Sequence, residues 1–172
     1  KNIDKNLIDI IWTQKPKDSI KPFFSLSKKN AGQSLEKKID KVKRSLLKNR
    51  ADYLLVTAPE NVAWILNIRG YDSAFSPIPN ARLLMSNKGD IDLYSHPKKL
   101  EKIKKIFSKK IRFHSEDMLK KRLNNLWKKN ILLDSISCSI HYRNLLEKRN
   151  KIIEKIDPIY SFKSIKNPTE IK

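Results

Sequence analysis

Few residues in this chain are placed to do chemistry. The three histidines, His96, His114 and His141, stand apart, and none forms an HxxxH pair or sits beside a carboxylate cluster, so they do not read as a metal site. His96 follows a strand pattern and precedes Pro97, the setting of a loop histidine. The lone cysteine, Cys138, lies among Ser135, Ser137 and Ser139 with no Gly-x-Ser-x-Gly elbow and no partner base, which argues against a nucleophile. A single cysteine also excludes an internal disulfide and a cysteine-based zinc site. Glycines stand at positions 32, 70 and 89 alone, too few for a phosphate-cradling loop. Asp134, after a strand pattern, reads as a loop acid before it reads as a functional carboxylate. No catalytic residue and no metal ligand is assigned. The stretch that ordinary core building does not explain is Asn61 to Pro79, NVAWILNIRGYDSAFSPIP, where Asn67, Arg69 and Asp72 precede or enter a proline-stiffened loop.

Elements on either side must position that stretch. Pro59 and Glu60 suit the first turn of a short apolar helix through Val62, Ala63, Ile65 and Leu66. Gly70, free to take a positive φ, is expected to end that helix and turn the path. Residues 1–30 read as an irregular connector pinned by Trp12 and by Phe23 or Phe24. From Ser34, a fitting N-cap, the spacing of Leu35, Ile39, Val42 and Leu46 predicts one helical face. Tyr53–Thr57 suits a central strand. Arg82–Ser86 and Ile91–Ser95 flank a turn at Asn87–Asp90, the pattern of a hairpin. Pro97 opens a helix with Leu100, Ile103 and Phe107 inward, Ile111–Phe113 follows as a strand, and Ser115 is expected to cap a helix with Leu119, Leu123, Leu126 and Trp127 on or near one face. A strand at Ile131–Leu133, a weaker helix over Ser139–Arg149 and a last strand at Ile159–Phe162 complete the pattern. About six strands alternating with helices, one pair antiparallel, predict an α/β domain with a mixed sheet and helices on both faces. Asn167, Pro168 and Glu170 form a helix start, which reads as the border of a further domain.

Composition bounds the function. The net charge of +20 and pI near 10.0 invite a nucleic-acid reading, but 30 of the 38 basic residues are Lys, the weaker partner for phosphate and guanine, and they recur on nearly every solvent face instead of forming a stripe. Lys, Ile and Asn are abundant while Gly and Ala are scarce, a pattern of nucleotide bias. No apolar run approaches the roughly 20 residues of a membrane span, and no signal-peptide core is present. A reducing, cytoplasmic setting is expected.

The order Asn6-Leu7-Ile8-Asp9, Ile11-Trp12 and Pro16, then Ala63-Trp64, Asn67-Ile68-Arg69-Gly70 and Asp72, and finally Lys166-Asn167 with Glu170, resembles the middle domain of three-domain aminopeptidases P, the Xaa-Pro aminopeptidases. The AWxxNxRGxD string carries most of the specificity, and the loop after Asp72, with its extra proline, departs from relatives. The resemblance implies a creatinase/prolidase N-terminal fold, a six-stranded mixed sheet with a ribonuclease-H-like motif. Its expected organisation is a connector from a preceding domain over 1–30, the α/β domain over 31–165, and the start of a catalytic domain at 166–172. It also implies a parent enzyme that removes the N-terminal residue preceding proline, using two divalent metal ions, commonly manganese, whose ligands would lie beyond Lys172. On this reading the fragment is a non-catalytic scaffold and cleft-shaping domain, inactive alone. Its expected partners are its own neighbouring domains, a peptide with proline second, and a second copy as a homodimer.

Two physical readings of Asn67, Arg69 and Asp72 stay open. Arg69 and Asp72 pair with each other or with backbone carbonyls and brace the loop, the favoured reading, or they sit on the lip of the catalytic cleft and orient the peptide. The alternative function, from charge alone, is a basic nucleic-acid-binding α/β module. A free-standing enzyme would require convergent acids or histidines in one pocket.

Overall fold

The computed structural model describes residues 7–16, 18–107 and 111–171. Asn6 of the N-terminal motif, the rest of residues 1–6, Lys17, and Lys172 lie outside these, as does the side chain of Asp9. The chain runs α1 (Leu7–Ile11), β1 (Phe24–Ser25), α2 (Lys28–Ala31), α3 (Leu35–Lys48), β2 (Tyr53–Val56), α4 (Pro59–Leu66), β3 (Ile68–Arg69), β4 (Arg82–Ser86), β5 (Ile91–Tyr94), α5 (Pro97–Lys104), β6 (Ile111–His114), α6 (Asp117–Asn124), β7 (Asn130–Leu133), α7 (Ile140–Glu147), β8 (Lys151–Glu154), α8 (Pro158–Ser164) and α9 (Pro168–Ile171). Six strands form one mixed sheet in the order β6-β5-β4-β2-β7-β8, and β1 pairs with β3 in a small antiparallel ribbon. The β4–β5 hairpin and the β2–β4 pair are antiparallel, while β2–β7, β7–β8 and β5–β6 are parallel.

Strand alternation divides the core. Leu54, Val56, Leu83, Met85, Leu93 and Leu132 point to the face covered by α3, α4, α5 and α8, and Leu55, Leu84, Ile131 and Leu133 to the face covered by α6 and α7. The expected two-faced α/β sheet is therefore the observed one. In α3, Ile39, Val42 and Leu46 are buried along one stripe, and burial of each such side chain contributes about 1.5–3 kcal/mol. Ser34 caps α3 by accepting from the Lys37 N–H. Pro59 begins α4 and Pro97 begins α5, as expected.

Several expectations need correction. Residues 159–162 are helical: Asp157 accepts from the Ile159 N–H and Pro158 takes the first helical position, so α8 forms there and the last strand is Lys151–Glu154. Gly70 does not take a positive φ; α4 ends instead at Asn67, left-handed at φ 53°. Gly70 is required for another reason, since a Cβ there would stand 2.8 Å from Pro79 Cα and 3.1 Å from the Phe23 ring. Glu116, not Ser115, precedes α6, without a side-chain cap. Of the expected anchors of residues 1–30, Phe23 is fully buried and ties the early segment to the core, whereas Trp12 is exposed; Trp127, placed near the face of α6, is exposed as well.

Candidate functional site

The end of α4, the strand β3 and the loop after it hold the motif residues, and each bonds within the domain. Asn67, buried, accepts from Lys38 Nζ through Oδ1 at 2.6 Å and donates through Nδ2 to the Gln33 carbonyl at 2.9 Å. The same ammonium donates to the Trp64 carbonyl at 2.9 Å and lies 4.3 Å from the Trp64 ring centre. Burial pushes Lys38 down to about 8; the charge of Glu170 opposes this, while Arg69 and Lys41 add to it.

Arg69 sits in β3, opposite Phe24. Its guanidinium donates to the carbonyls of Ile68 at 2.9 Å and Ala63 at 3.3 Å, sharing the Ala63 acceptor with the Asn67 N–H that closes α4. Burial lowers its pKa and the charge of Glu170 opposes the shift. Asp72 meets a different partner: its carboxylate accepts from the buried Lys99 ammonium at 2.5 Å and from the Asn80 N–H at 2.6 Å, closing the loop between them. Arg69 and Asp72 therefore each have their own partners and form no pair with one another. The loop they flank presents Tyr71 and Phe75 to solvent.

The segment before α9 docks beside this motif. Asn167 accepts from the Thr169 and Glu170 N–H groups, Glu170 accepts in return from the Asn167 N–H, and Asn167 Nδ2 donates to the Ala31 carbonyl. Gly32, at φ 70°, leaves the space for it: a Cβ there would stand 2.0 Å from Asn167 Oδ1. The carboxylate of Glu170 thus lies within electrostatic reach of both Lys38 and Arg69.

Other residues singled out from the sequence fall into place. Asp134 is buried and accepts from the Ile136 and Asp157 N–H groups, holding the turns after β7 and β8. Burial pushes the Cys138 thiol up to about 11, which keeps it protonated and poorly nucleophilic at neutral pH. His96 caps α5 by accepting from the Lys98 N–H. Among the described residues no three or more His, Cys, Asp or Glu side chains could hold a metal ion. The described side chains therefore do not fit a di-metal centre.

His114 is the exception to the expected isolation. It lies 3.0 Å from Asp92, a buried carboxylate that also accepts from Arg112 at 2.6 Å and faces Arg122 at 3.5 Å. Burial pushes the Asp92 carboxyl up, and the hydrogen bonds from Arg112 and His114 with the neighbouring positive charges outweigh it, holding the group below its ordinary value. These residues lie in neighbouring strands and a helix, so only the parallel register of β5 against β6, Asp92 opposite Arg112, brings them together. The alternation of Asp92 with Tyr94 and of Arg112 with His114 was the available signal.

Comparison with known proteins agrees with the fold. Residues 14–170 match the creatinase/prolidase N-terminal domain. The chain is 28% identical to the Xaa-Pro aminopeptidase ApepP of Drosophila melanogaster over 98% of its own length and 28% of that protein. It is 32% identical to Xaa-Pro aminopeptidase 1 of Dictyostelium discoideum over 91% of its length and 25% of that protein. The X-prolyl aminopeptidase of Caenorhabditis elegans, described as a cytosolic enzyme with a di-nuclear active site, superposes with a TM-score of 0.84 at 22% identity, over 98% of this chain and 29% of that one. The chain spans less than a third of each of these proteins. It belongs to the creatinase/prolidase N-terminal domain family.

Proposed function

We propose that this chain serves as the non-catalytic scaffold and cleft-shaping domain of a metal-dependent Xaa-Pro aminopeptidase, an enzyme that removes the N-terminal residue preceding proline. The similarity to the Drosophila and Dictyostelium enzymes over nearly the whole chain supports the class. The observation that carries the scaffold role is the inward use of the motif: Asn67, Arg69 and Asp72 bind Lys38, two backbone carbonyls, Lys99 and the Asn80 N–H, all within the domain. Their role on this reading is to brace the loop over 71–80 and the seat of the segment 166–171.

In that organisation residues 1–30 lead in from a preceding domain, 31–165 form the α/β domain, and 166–172 lead into the catalytic domain. The two divalent ions, manganese in this proposal, belong to that catalytic domain, and no step through a metal is assigned to the residues of this chain. A cytoplasmic enzyme acting on peptides with proline second, assembled as a homodimer, completes the reading. Among the described residues no helix is long and apolar enough to cross a membrane.

The test is an assay of residues 1–172 alone with an X-Pro peptide and added manganese, beside the complete enzyme. Turnover by the complete enzyme and none by the isolated chain is expected. Turnover by the isolated chain above a metal-free blank would overturn the non-catalytic assignment.

A further inference from the structure

Beside α6, the sheet edge carries a second polar assembly that the scaffold role leaves unused. Asp92 is buried and holds Arg112 from β6 and Arg122 from α6, each through the guanidinium Nε. The Arg112 and Arg122 side chains nonetheless remain 52% and 37% exposed. Both line an open pocket of about 440 Å³, together with Lys121, Asn125, His114 and Met118. Among the described residues that line this pocket, Asp92 is the one acid, so cations are in excess around it. Here a buried carboxylate orients two guanidiniums that stay part-exposed, Arg122 also bonding the Tyr94 hydroxyl, and guanidiniums held in place beside open space pre-organise an anion site.

We propose that this pocket binds the phosphate group of a small phosphate monoester. Two guanidiniums, an ammonium and the Asn125 amide offer more donors, from more directions, than the two coplanar oxygens of a carboxylate accept, and they suit the three free oxygens of a tetrahedral dianion. The volume exceeds that of a phosphate group. The half-exposed Met118 and the His114 ring, stacked at 5.1 Å on the buried Tyr94, supply surface for an organic body.

Titration calorimetry of the intact protein with phenyl phosphate and with inorganic phosphate, at matched ionic strength, tests this. Phenyl phosphate is expected to bind one to one with Kd below about 1 mM and several-fold tighter than inorganic phosphate. Arg112→Gln and Arg122→Gln should each weaken binding about tenfold or more, with Arg112→Lys, which keeps the charge and loses the fork, falling between. Lys102→Gln, the same charge change at an exposed site on α5, should alter Kd by less than about twofold. Far-UV circular dichroism confirms that each variant is folded. Absence of binding, equal affinity for the two phosphates, or equal weakening by Lys102→Gln would overturn the proposal.

Discussion

The ammonium of Lys38 lies 2.6 Å from Asn67 Oδ1, so a buried lysine of α3 and the left-handed residue that ends α4 satisfy one another. The bond joins two helices that pack on the same sheet face. Asn67→Ala removes an acceptor from a buried cation and a donor from the Gln33 carbonyl, and it places an ordinary residue at φ 53°. A loss of about 2–3 kcal/mol is expected, which corresponds to about 4–12 °C in Tm for a chain of this size. Asn67→Asp, which keeps the acceptor, should lose less. Thermal unfolding followed by circular dichroism reads both, and equal melting points for wild type and Asn67→Ala would contradict the bracing role.

Asp157 makes stability depend on pH. Burial pushes its carboxyl up to about 6 from an ordinary 3.8; the Ile159 N–H and Asn61 pull it back and the charge of Asp134 adds to the rise. The folded chain therefore holds this proton more tightly than the unfolded chain does. The stabilisation is fully present below about pH 3.8 and is lost as pH rises through about 6. The unfolding free energy of wild type minus that of Asp157→Asn should thus be greater at pH 4 than at pH 7, by on the order of 2–3 kcal/mol. Urea titrations at the two pH values measure the difference, and a difference that does not change with pH would contradict the shift.

The loop between Asp72 and Asn80 hangs on one buried ion pair. Asp72→Asn leaves the Lys99 ammonium short of its counter-charge and should destabilise by about 2–4 kcal/mol, while Asp72→Asn with Lys99→Met should recover part of that loss. Limited proteolysis provides the local readout, with faster cleavage between residues 71 and 80 expected in the single variant. Equal cleavage rates in wild type and Asp72→Asn would show that the pair does not hold the loop.

Periodicity made the regular parts of this fold legible. The stripe Leu35, Ile39, Val42 and Leu46 with Ser34 before it marks α3, and the turn residues Asn87–Asp90 mark the hairpin, because both signals are local. In α8 two local signals compete: Ile159, Tyr160 and Phe162 have strand-forming side chains and suggest a strand, and the Asp157-Pro158 helix start outweighs them. The ribbon of β1 with β3, two residues in each strand, has too short a pattern to show in sequence. Of the motif, the charges at Arg69 and Asp72 were visible but their partners were not, since Lys99 is 27 residues from Asp72. The pairing of His114 with Asp92 shows in sequence only as alternation within each strand, since the contact itself follows from strand register across the sheet.

The most direct test of the scaffold account is Arg69→Ala in the complete enzyme, with kinetics and thermal unfolding measured on one preparation. The guanidinium donates to the Ala63 and Ile68 carbonyls inside the domain, so its removal should lower stability by about 1–3 kcal/mol and Tm by about 2–12 °C, with kcat/KM on an X-Pro peptide changed by less than about twofold. A fall of about tenfold or more in kcat/KM at an unchanged Tm would contradict the account and place Arg69 at the substrate.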